Sequence, residues 1–170
     1  MNLKSKIREV PDFPKKGILF YDITTLLKEK EAFLEVIDQL TAPFREKNVE
    51  KVVAVESRGF IFGTAVAQQL GAGFVPVRKP GKLPYKTIEA AYQLEYGSDK
   101  LAIHEDAISN GERVLIVDDL LATGGTMSAT VDLVKKLGGD IVSIEFVIEL
   151  SFLKGREKLS GIPIFSLLTY

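Results

Sequence analysis

The chain has 170 residues, of which 46% are hydrophobic, and this is enough for one domain with its own apolar core. Its 22 lysines and arginines nearly balance 23 aspartates and glutamates, and a net charge of −1 argues against nucleic acid or an anionic membrane as a partner. With no cysteine and a single histidine, His104, the chain lacks the residues for disulfides, thiolate chemistry or a histidine-based metal site.

The N-terminal residues predict a short helix followed by an arm with two prolines. Leu3, Ile7 and Val10 would share one side of that helix, which Pro11 and Pro14 would end. This charged start lacks the apolar core of a signal peptide, and no apolar run approaches the roughly 18 residues of a membrane span. We therefore expect a cytoplasmic protein with no membrane partner.

From residue 31 onward the pattern alternates between helices and strands. Apolar residues at helical spacing predict helices over residues 31–47, 59–70 and 126–137, with the first interrupted at Pro43. Apolar runs predict strands over residues 52–55, 74–77, 114–117, 141–150 and 164–168. Polar alternation between residues 80 and 100 predicts an exposed two-stranded ribbon. This order predicts an α/β fold with a parallel sheet and helices on both faces.

The segment after the strand at 114–117 combines acidic and small residues. Asp118 and Asp119 follow the strand directly, and Thr123-Gly124-Gly125-Thr126 leads into the next helix. Open α/β sheets bind ligands beyond the carboxyl ends of their strands, and a glycine-containing turn into a helix presents backbone N–H groups to a phosphate. Carboxylates repel a phosphate, so the two aspartates suit neighbouring ribose hydroxyls or a magnesium ion. The segment therefore predicts a site for a ribose 5-phosphate.

Residues 117–126, Val-Asp-Asp-Leu-Leu-Ala-Thr-Gly-Gly-Thr, resemble the phosphoribosyl pyrophosphate (PRPP) signature of type I phosphoribosyltransferases, in particular that of the adenine phosphoribosyltransferases. The resemblance implies their fold, a twisted and mainly parallel sheet flanked by helices, in a single domain over residues 1–170. A small N-terminal hood would span about residues 1–30, and a mobile catalytic loop about residues 80–104. Asp118 and Asp119 would hold the ribose hydroxyls, and the 5-phosphate would contact the backbone of Ala122, Thr123, Gly124, Gly125 and Thr126.

Two further segments carry residues that the resemblance assigns to the diphosphate. Glu56-Ser57-Arg58-Gly59-Phe60 resembles the family's pyrophosphate loop, with Glu56 where Asp is commoner, and implies a cis non-proline peptide bond near Glu56-Ser57. Arg78, Lys79 and Lys82 follow the next strand, where the family's cations reach the diphosphate, in part across a dimer interface. A run of cations taken alone would be read as a solvated surface.

The resemblance also assigns the adenine contacts and the catalytic group. Residues 10–24 resemble the hood over the base, so that Leu19, Phe20 and Tyr21 would contact adenine together with Arg58 and Leu120. Tyr21 stands where some members have Arg. Leu-Glu-Tyr-Gly at residues 94–97 makes Glu95 the catalytic residue, placed to accept or donate the proton of a purine nitrogen. Residues 150–159 match the family's C-terminal segment and receive a structural role only.

The implied reaction is adenine + PRPP ⇌ AMP + diphosphate, a step of purine salvage in a homodimer that has no nucleic-acid partner. Mg²⁺ would be the cofactor, carried by PRPP and water rather than by a metal site of the protein. Two alternatives stay open at this point. One is a phosphoribosyltransferase for another base, such as xanthine or orotate. The other is a regulatory protein of the same fold that senses PRPP or a nucleotide, because fold alone does not determine function.

Overall fold

Residues 1–94 and 96–170 are described by a computed structural model. They divide into two units, Met1–Gln39 and Leu40–Tyr170. None of the helices in these two described ranges is long and apolar enough to cross a membrane.

The first unit contains a small antiparallel sheet. A 3-10 turn, Leu3–Lys6, precedes the strands β1, Arg8–Pro11, and β2, Leu19–Asp22, which pair with Arg8 opposite Asp22. The helix predicted from Leu3 to Val10 is therefore wrong beyond Lys6. Pairing with β2 gives the backbone of residues 8–11 partners that local periodicity cannot reveal. The helices α1, Thr24–Leu27, and α2, Lys30–Thr41, follow.

The second unit contains the main sheet, and its elements follow in chain order. After a 3-10 turn, Ala42–Phe44, come β3, Lys51–Val55; α3, Arg58–Leu70; β4, Gly73–Val77; β5, Thr87–Leu94; β6, Gly97–His104; β7, Arg113–Leu121; α4, Gly125–Lys136; β8, Asp140–Glu149; 3-10 turns Ser151–Leu153 and Gly155–Leu159; and β9, Ile164–Thr169. Five strands form one sheet in the order β4-β3-β7-β8-β9, and all neighbours are parallel. The predicted α/β class with a parallel sheet is confirmed.

The two long helices of this unit, α3 and α4, pack on opposite faces of the sheet. Side chains alternate along a strand, so Val53 and Val55 of β3 face away from Val52 and Ala54. The first pair lies in an apolar core with β7, β8 and residues Met127, Val131 and Val134 of α4. On the other face, a Cβ at Gly63 of α3 would lie 2.6 Å from the Cβ of Ala54. Helices on both faces were the prediction, and the structure confirms them.

Local sequence signals predicted the ends of two helices correctly but not the end of β7. Helix α2 ends at Thr41 because Pro43 cannot continue the hydrogen-bond pattern, and α3 ends at Gly71, whose φ of 66° is left-handed. By contrast, β7 runs to Leu121, four residues beyond the predicted end at Val117. Asp118 pairs with Phe146 and Leu121 with Glu149, so the ladder with β8 continues through residues that are too polar for an apolar run.

Strands β5 and β6 form the predicted two-stranded ribbon as an antiparallel pair from Thr87–His104 to Leu94–Gly97. The prediction that the ribbon is exposed is wrong for one of its faces, because Ala90, Leu101 and Ile103 are buried in the apolar core of the sheet. The second strand extends four residues beyond the predicted end at residue 100. The ribbon lies along α4, where the Lys136 ammonium donates to the carbonyl of Glu89 at 3.3 Å.

Candidate active site

A cavity of about 490 Å³ opens where the strand order reverses. The chain leaves β3 through α3 toward one edge of the sheet, and leaves β7 through α4 toward the other edge. Open parallel sheets bind ligands at such a point, beyond the carboxyl ends of the strands. The cavity is lined by the two strand–helix junctions, residues 55–58 and 118–127. The structure therefore brings together two segments that lie about 60 residues apart in the sequence.

The loop Ala122–Thr126 forms one wall of the cavity and leads into α4. Gly124 is the N-cap of this helix, with a φ of 85°, and no side chain caps the helix here. The first N–H groups of a helix have no carbonyl partner within the helix, and they favour an anion. As the sequence predicted, a glycine-containing turn leads into a helix here, and phosphate binding by this wall stays a prediction.

The two aspartates lie at the carboxyl end of β7 with different surroundings. Asp119 is buried, and its Oδ2 is 2.8 Å from the Nε of Arg58, the first residue of α3. Asp118 opens onto the cavity, and its Oδ1 accepts the N–H of Asp119 at 2.9 Å. Burial raises the pKa of Asp118 well above its usual range, and the neighbouring Asp119 charge raises it further. Burial also raises the pKa of Asp119, although Arg58 opposes this.

Gly59 is a site residue whose importance the sequence did not reveal. A Cβ at this position would lie 2.7 Å from Oδ1 of Asp118. Glycine therefore lets the first turn of α3 approach the carboxylate closely. Because this contact joins segments that are far apart in the sequence, no local sequence pattern predicts it.

The segment at residues 56–58, to which the resemblance assigns the diphosphate, has the backbone conformation that the resemblance implied. The peptide bond between Glu56 and Ser57 is cis, as the resemblance implied. Ser57 and Arg58 lie at the start of α3, and both line the cavity. The backbone N–H of Glu56 donates to the carbonyl of Val77 at 2.9 Å, so this segment is tied to β4.

The Glu56 carboxylate gathers the cations that follow β4. Its Oε2 is 2.9 Å from Arg78 Nε, its Oε1 accepts the N–H of Lys79 at 2.9 Å, and Lys82 Nζ lies 3.3 Å from Oε1. Burial acts to raise the pKa of Glu56, but the hydrogen bonds from these three residues outweigh it and hold the pKa below its usual range. Glu56 lines the cavity, whereas Arg78, Lys79 and Lys82 are not among the described residues that line it.

The side chain of Lys79 contacts the β5–β6 ribbon rather than Glu56. Its ammonium pairs with the carboxylate of Asp99 and lies 3.0 Å from the hydroxyl of Tyr92, both on the β5–β6 ribbon. The end of the ribbon approaches the phosphate loop, since a Cβ at Gly125 would lie 3.5 Å from the carbonyl oxygen of Gln93. Glu95, the predicted catalytic residue, lies outside the described residues.

The predicted adenine contacts fall in both units. Leu19, Phe20 and Tyr21 form most of β2 in the first unit, where the Phe20 ring packs edge-on against Phe13 with centroids 5.0 Å apart. Arg58 and Leu120 line the cavity in the second unit. Over the described part of the chain, no three or more His, Asp or Glu side chains are grouped so that they could hold a metal ion.

Comparison with known proteins gives consistent matches. The sequence profile of the phosphoribosyl transferase domain matches residues 23–160. The adenine phosphoribosyltransferase of Acidobacterium capsulatum is 61% identical over 168 residues, which cover 99% of this chain and 93% of that protein. The crystal structure of adenine phosphoribosyltransferase from Thermoanaerobacter pseudethanolicus aligns with a TM-score of 0.96 and 54% identity, over 99% of this chain and 98% of its own. The Saccharomyces cerevisiae enzyme, solved with an imino-altritol bisphosphate and adenine, aligns with a TM-score of 0.93 and 45% identity, over 98% and 96%.

Proposed function

The chain belongs to the phosphoribosyltransferase family, and from this membership we propose that it catalyses the reaction of adenine with PRPP to give AMP and diphosphate. An enzyme with this activity is a pentosyltransferase of purine salvage. One observation carries the proposal: a phosphate loop and paired carboxylates share a cavity in a chain 61% identical to an adenine phosphoribosyltransferase.

The ribose 5-phosphate is assigned to the wall that β7 and α4 provide. The backbone N–H groups of Ala122–Thr126 hold the phosphate, and Asp118 and Asp119 accept hydrogen bonds from the ribose hydroxyls. During the reaction the bond from ribose C1 to the diphosphate oxygen breaks while a bond from a purine nitrogen to C1 forms. The protein stabilises the charges that develop and holds the reacting groups in place. Support comes from the carboxylates and the helix N-terminus, which line one cavity.

The diphosphate is assigned to the opposite wall. Ser57 and Arg58 contact it directly, while Arg78, Lys79 and Lys82 supply positive charge. The placement of Arg78 near this wall is supported by its 2.9 Å contact with the carboxylate of Glu56, a residue that lines the cavity. Because contacts of cations with the diphosphate oxygens are charge-assisted, they would favour the polyanionic leaving group over neutral ligands.

The base is assigned to Leu19, Phe20 and Tyr21, with Arg58 and Leu120. Glu95 is the catalytic residue of the proposal, and its support is the Leu-Glu-Tyr-Gly sequence at residues 94–97. A carboxylate beside the purine nitrogen accepts its proton when the bond to C1 forms.

Mg²⁺ fits this site as an ion that PRPP brings with it. PRPP and water would hold the ion, because Mg²⁺ keeps much of its hydration, and the carboxyl groups of Asp118 and Asp119, which line the cavity, would lie near it. The ion supplies charge neutralisation on the diphosphate.

A single assay tests the proposal. Purified protein receives PRPP and Mg²⁺ with adenine, guanine, hypoxanthine or xanthine, and nucleotide formation is followed by chromatography. We expect AMP from adenine, no comparable product from the other bases, and loss of activity in excess chelator. Preference for xanthine would favour an enzyme for another base. PRPP binding without turnover of any base would favour a regulatory protein.

The homodimer and the cytoplasmic location are proposals of the same kind. The dimer rests on the resemblance of the cationic segment at residues 78–82 to that of a dimeric family. The location rests on composition and is tested by cell fractionation.

A further inference from the structure

The segment after β8 packs directly against the phosphate loop through Gly155. A Cβ at Gly124 would lie 2.5 Å from the carbonyl oxygen of Gly155, and a Cβ at Gly155 would lie 2.5 Å from the carbonyl oxygen of Ala122. Ordinary contacts of a Cβ begin at about 3.4 Å, and both partners are backbone atoms that cannot rotate away. Two stretches of backbone therefore meet with no side chain between them.

Gly155 is held in this position by its neighbours rather than by the loop alone. Arg156 donates from Nε and Nη2 to the two carboxylate oxygens of Glu149, each at 2.7 Å, and from Nη1 to the carbonyl of Ile164 at 3.3 Å. Such bidentate pairs fix direction as well as distance. Leu159, at the other end of the segment, is buried in the core of the sheet. The segment is thus fastened to β8, to β9 and to the core.

Glu149, the partner of Arg156, also lies beside the start of the phosphate loop. Glu149 lies opposite Leu121, the last residue of β7, and the N–H of Leu150 donates to the carbonyl of Leu121 at 2.9 Å. Gly155 is not among the described residues that line the cavity, so any effect it has on a ligand passes through the loop.

We propose that the segment Gly155–Leu159 sets the position of the phosphate loop, with Gly155 and Arg156 as positioning residues for the 5-phosphate of PRPP. This rests on the proposed function, because it takes the loop to be the 5-phosphate site. An alanine at residue 155 would have to move the loop by about 1 Å to reach an ordinary contact distance. A displacement of that size at a reacting site can lower activity by about 10²-fold.

The test is Gly155→Ala, with KM measured separately for PRPP and for adenine. We expect KM for PRPP to rise at least ~10-fold and KM for adenine to stay within ~2-fold, since only the phosphate wall moves. Calorimetric titration with ribose 5-phosphate should show weakening of the same size, while inorganic diphosphate binds as it does to the wild type.

Gly139→Ala is the matched control. Its new Cβ would lie 2.7 Å from Val134 Cγ1 at the other end of α4, so it strains the same unit without reaching the loop. We expect a lower melting temperature and both KM values within ~2-fold of the wild type.

A second pair of variants covers the case in which Gly155→Ala does not fold. Arg156→Ala removes the bidentate pair and Arg156→Lys keeps only its charge, so KM for PRPP should rise in the order wild type, Lys, Ala. An equal rise of both KM values, or unchanged ribose 5-phosphate binding in a folded variant, would overturn the proposal. A wild type that binds ribose 5-phosphate but never converts adenine would refute the proposed reaction, and calorimetry would still decide the role of this segment.

Discussion

Glu145 is a buried carboxyl group in the middle of β8. It is fully buried, and neither of its oxygens has a hydrogen-bond partner among the described residues. Its neighbours across the ladders are Val117 of β7 and Phe165 of β9. Burial away from polar partners penalises the charged form and raises the pKa of Glu145 to about 9. The group is therefore protonated in the folded protein at neutral pH.

This predicts a pH-dependent loss of stability. Above pH 4.5 the unfolded chain releases the Glu145 proton that the folded chain keeps, so the free energy of unfolding falls as pH rises from about 4.5 to about 9. Because Gln is neutral throughout, Glu145→Gln should be more stable than the wild type by about 3 kcal/mol at pH 7, and by less than about 1 kcal/mol at pH 5. Urea unfolding at both pH values measures this.

Glu149→Gln is the control, and its expected change in the free energy of unfolding has the opposite sign. Arg156 holds the pKa of Glu149 below its usual range, so the ionised form of Glu149 stabilises the fold. Glu149→Gln should therefore be less stable than the wild type at pH 7. A stability gain for Glu145→Gln that does not change with pH would contradict the assignment of a protonated Glu145.

A second residue-scale prediction separates chemistry from binding. Glu95→Gln should lower kcat by roughly 10²–10⁴, the usual range for a lost acid–base group, with little change in PRPP affinity. Asp118→Asn with Asp119→Asn should instead damage the use of PRPP, because in the proposed site these carboxylates would contact ribose before and during the reaction. Initial rates at several PRPP and adenine concentrations distinguish the two patterns.

Glu89→Gln is the matched control for Glu95, since Glu89 is an exposed carboxylate on the same ribbon that pairs with Lys100. It should leave kcat unchanged. The resemblance places Glu95 in a mobile loop, so stopped-flow measurement of loop closure belongs with the assay, to show whether closure or chemistry limits the rate. A kcat near that of the wild type in Glu95→Gln, with chemistry limiting the rate, would remove Glu95 from the mechanism.

At the scale of elements, the contact of α3 with the sheet depends on Gly63. Alanine favours a helix over glycine by about 1 kcal/mol, whereas overpacking a core contact typically loses about 1–3 kcal/mol. The new Cβ would lie 2.6 Å from the Cβ of Ala54, which the backbone of β3 holds in place. We therefore expect the loss from overpacking to exceed the gain in helix propensity, so that Gly63→Ala lowers the free energy of unfolding by up to about 2 kcal/mol in chemical unfolding.

Gly73→Ala is the control that tests whether the steric contact causes the predicted loss of stability in Gly63→Ala. A Cβ at Gly73 would meet the far end of the Lys51 side chain at 3.2 Å, and that side chain can rotate away. We expect a change within about 0.5 kcal/mol. If the two variants were equally unstable, the loss in Gly63→Ala would not come from the contact with Ala54.

At the scale of the whole molecule, the prediction concerns assembly. A homodimer should sediment with twice the 18.8 kDa mass of one chain at micromolar concentration. Within one chain Arg78 is held by Glu56, and in a dimer we expect it to reach the partner's diphosphate as well. A mass of 18.8 kDa with full activity would exclude the dimer as the active form.

Mixing variants tests the role of Arg78 across the interface. Arg78→Ala and the double variant Asp118→Asn, Asp119→Asn should each be weakly active alone. If Arg78 serves the partner's site, a mixed dimer contains one site in which Arg78, Asp118 and Asp119 are all intact. Activity then returns on mixing. If mixing restores nothing although subunits exchange, Arg78 acts within its own chain.

From residue 31 onward, the sequence by itself determined the order of the main helices and strands and the place of the glycine-containing turn that is proposed to bind phosphate. Apolar runs marked the five parallel strands, helical spacing marked α3 and α4, and Gly124-Gly125 after two aspartates marked the cradle at the start of α4. These are local patterns, because backbone conformation and the burial of a strand or helix face depend on residues close together in the chain. The resemblance to a family added the cis bond at Glu56-Ser57, which the structure confirms.

Only the tertiary structure decided which distant residues meet. Strand β7 continues through Asp118 and Asp119 because β8 pairs with it, and Glu56 contacts cations 22 and 26 residues away. From beyond β8, the backbone of Gly155 packs closely against the backbone of Ala122. Each of these contacts joins segments that the sheet topology brings together. A contact between distant segments leaves no period and no spacing in the sequence, because its geometry exists only once the strands have paired and the helices have packed.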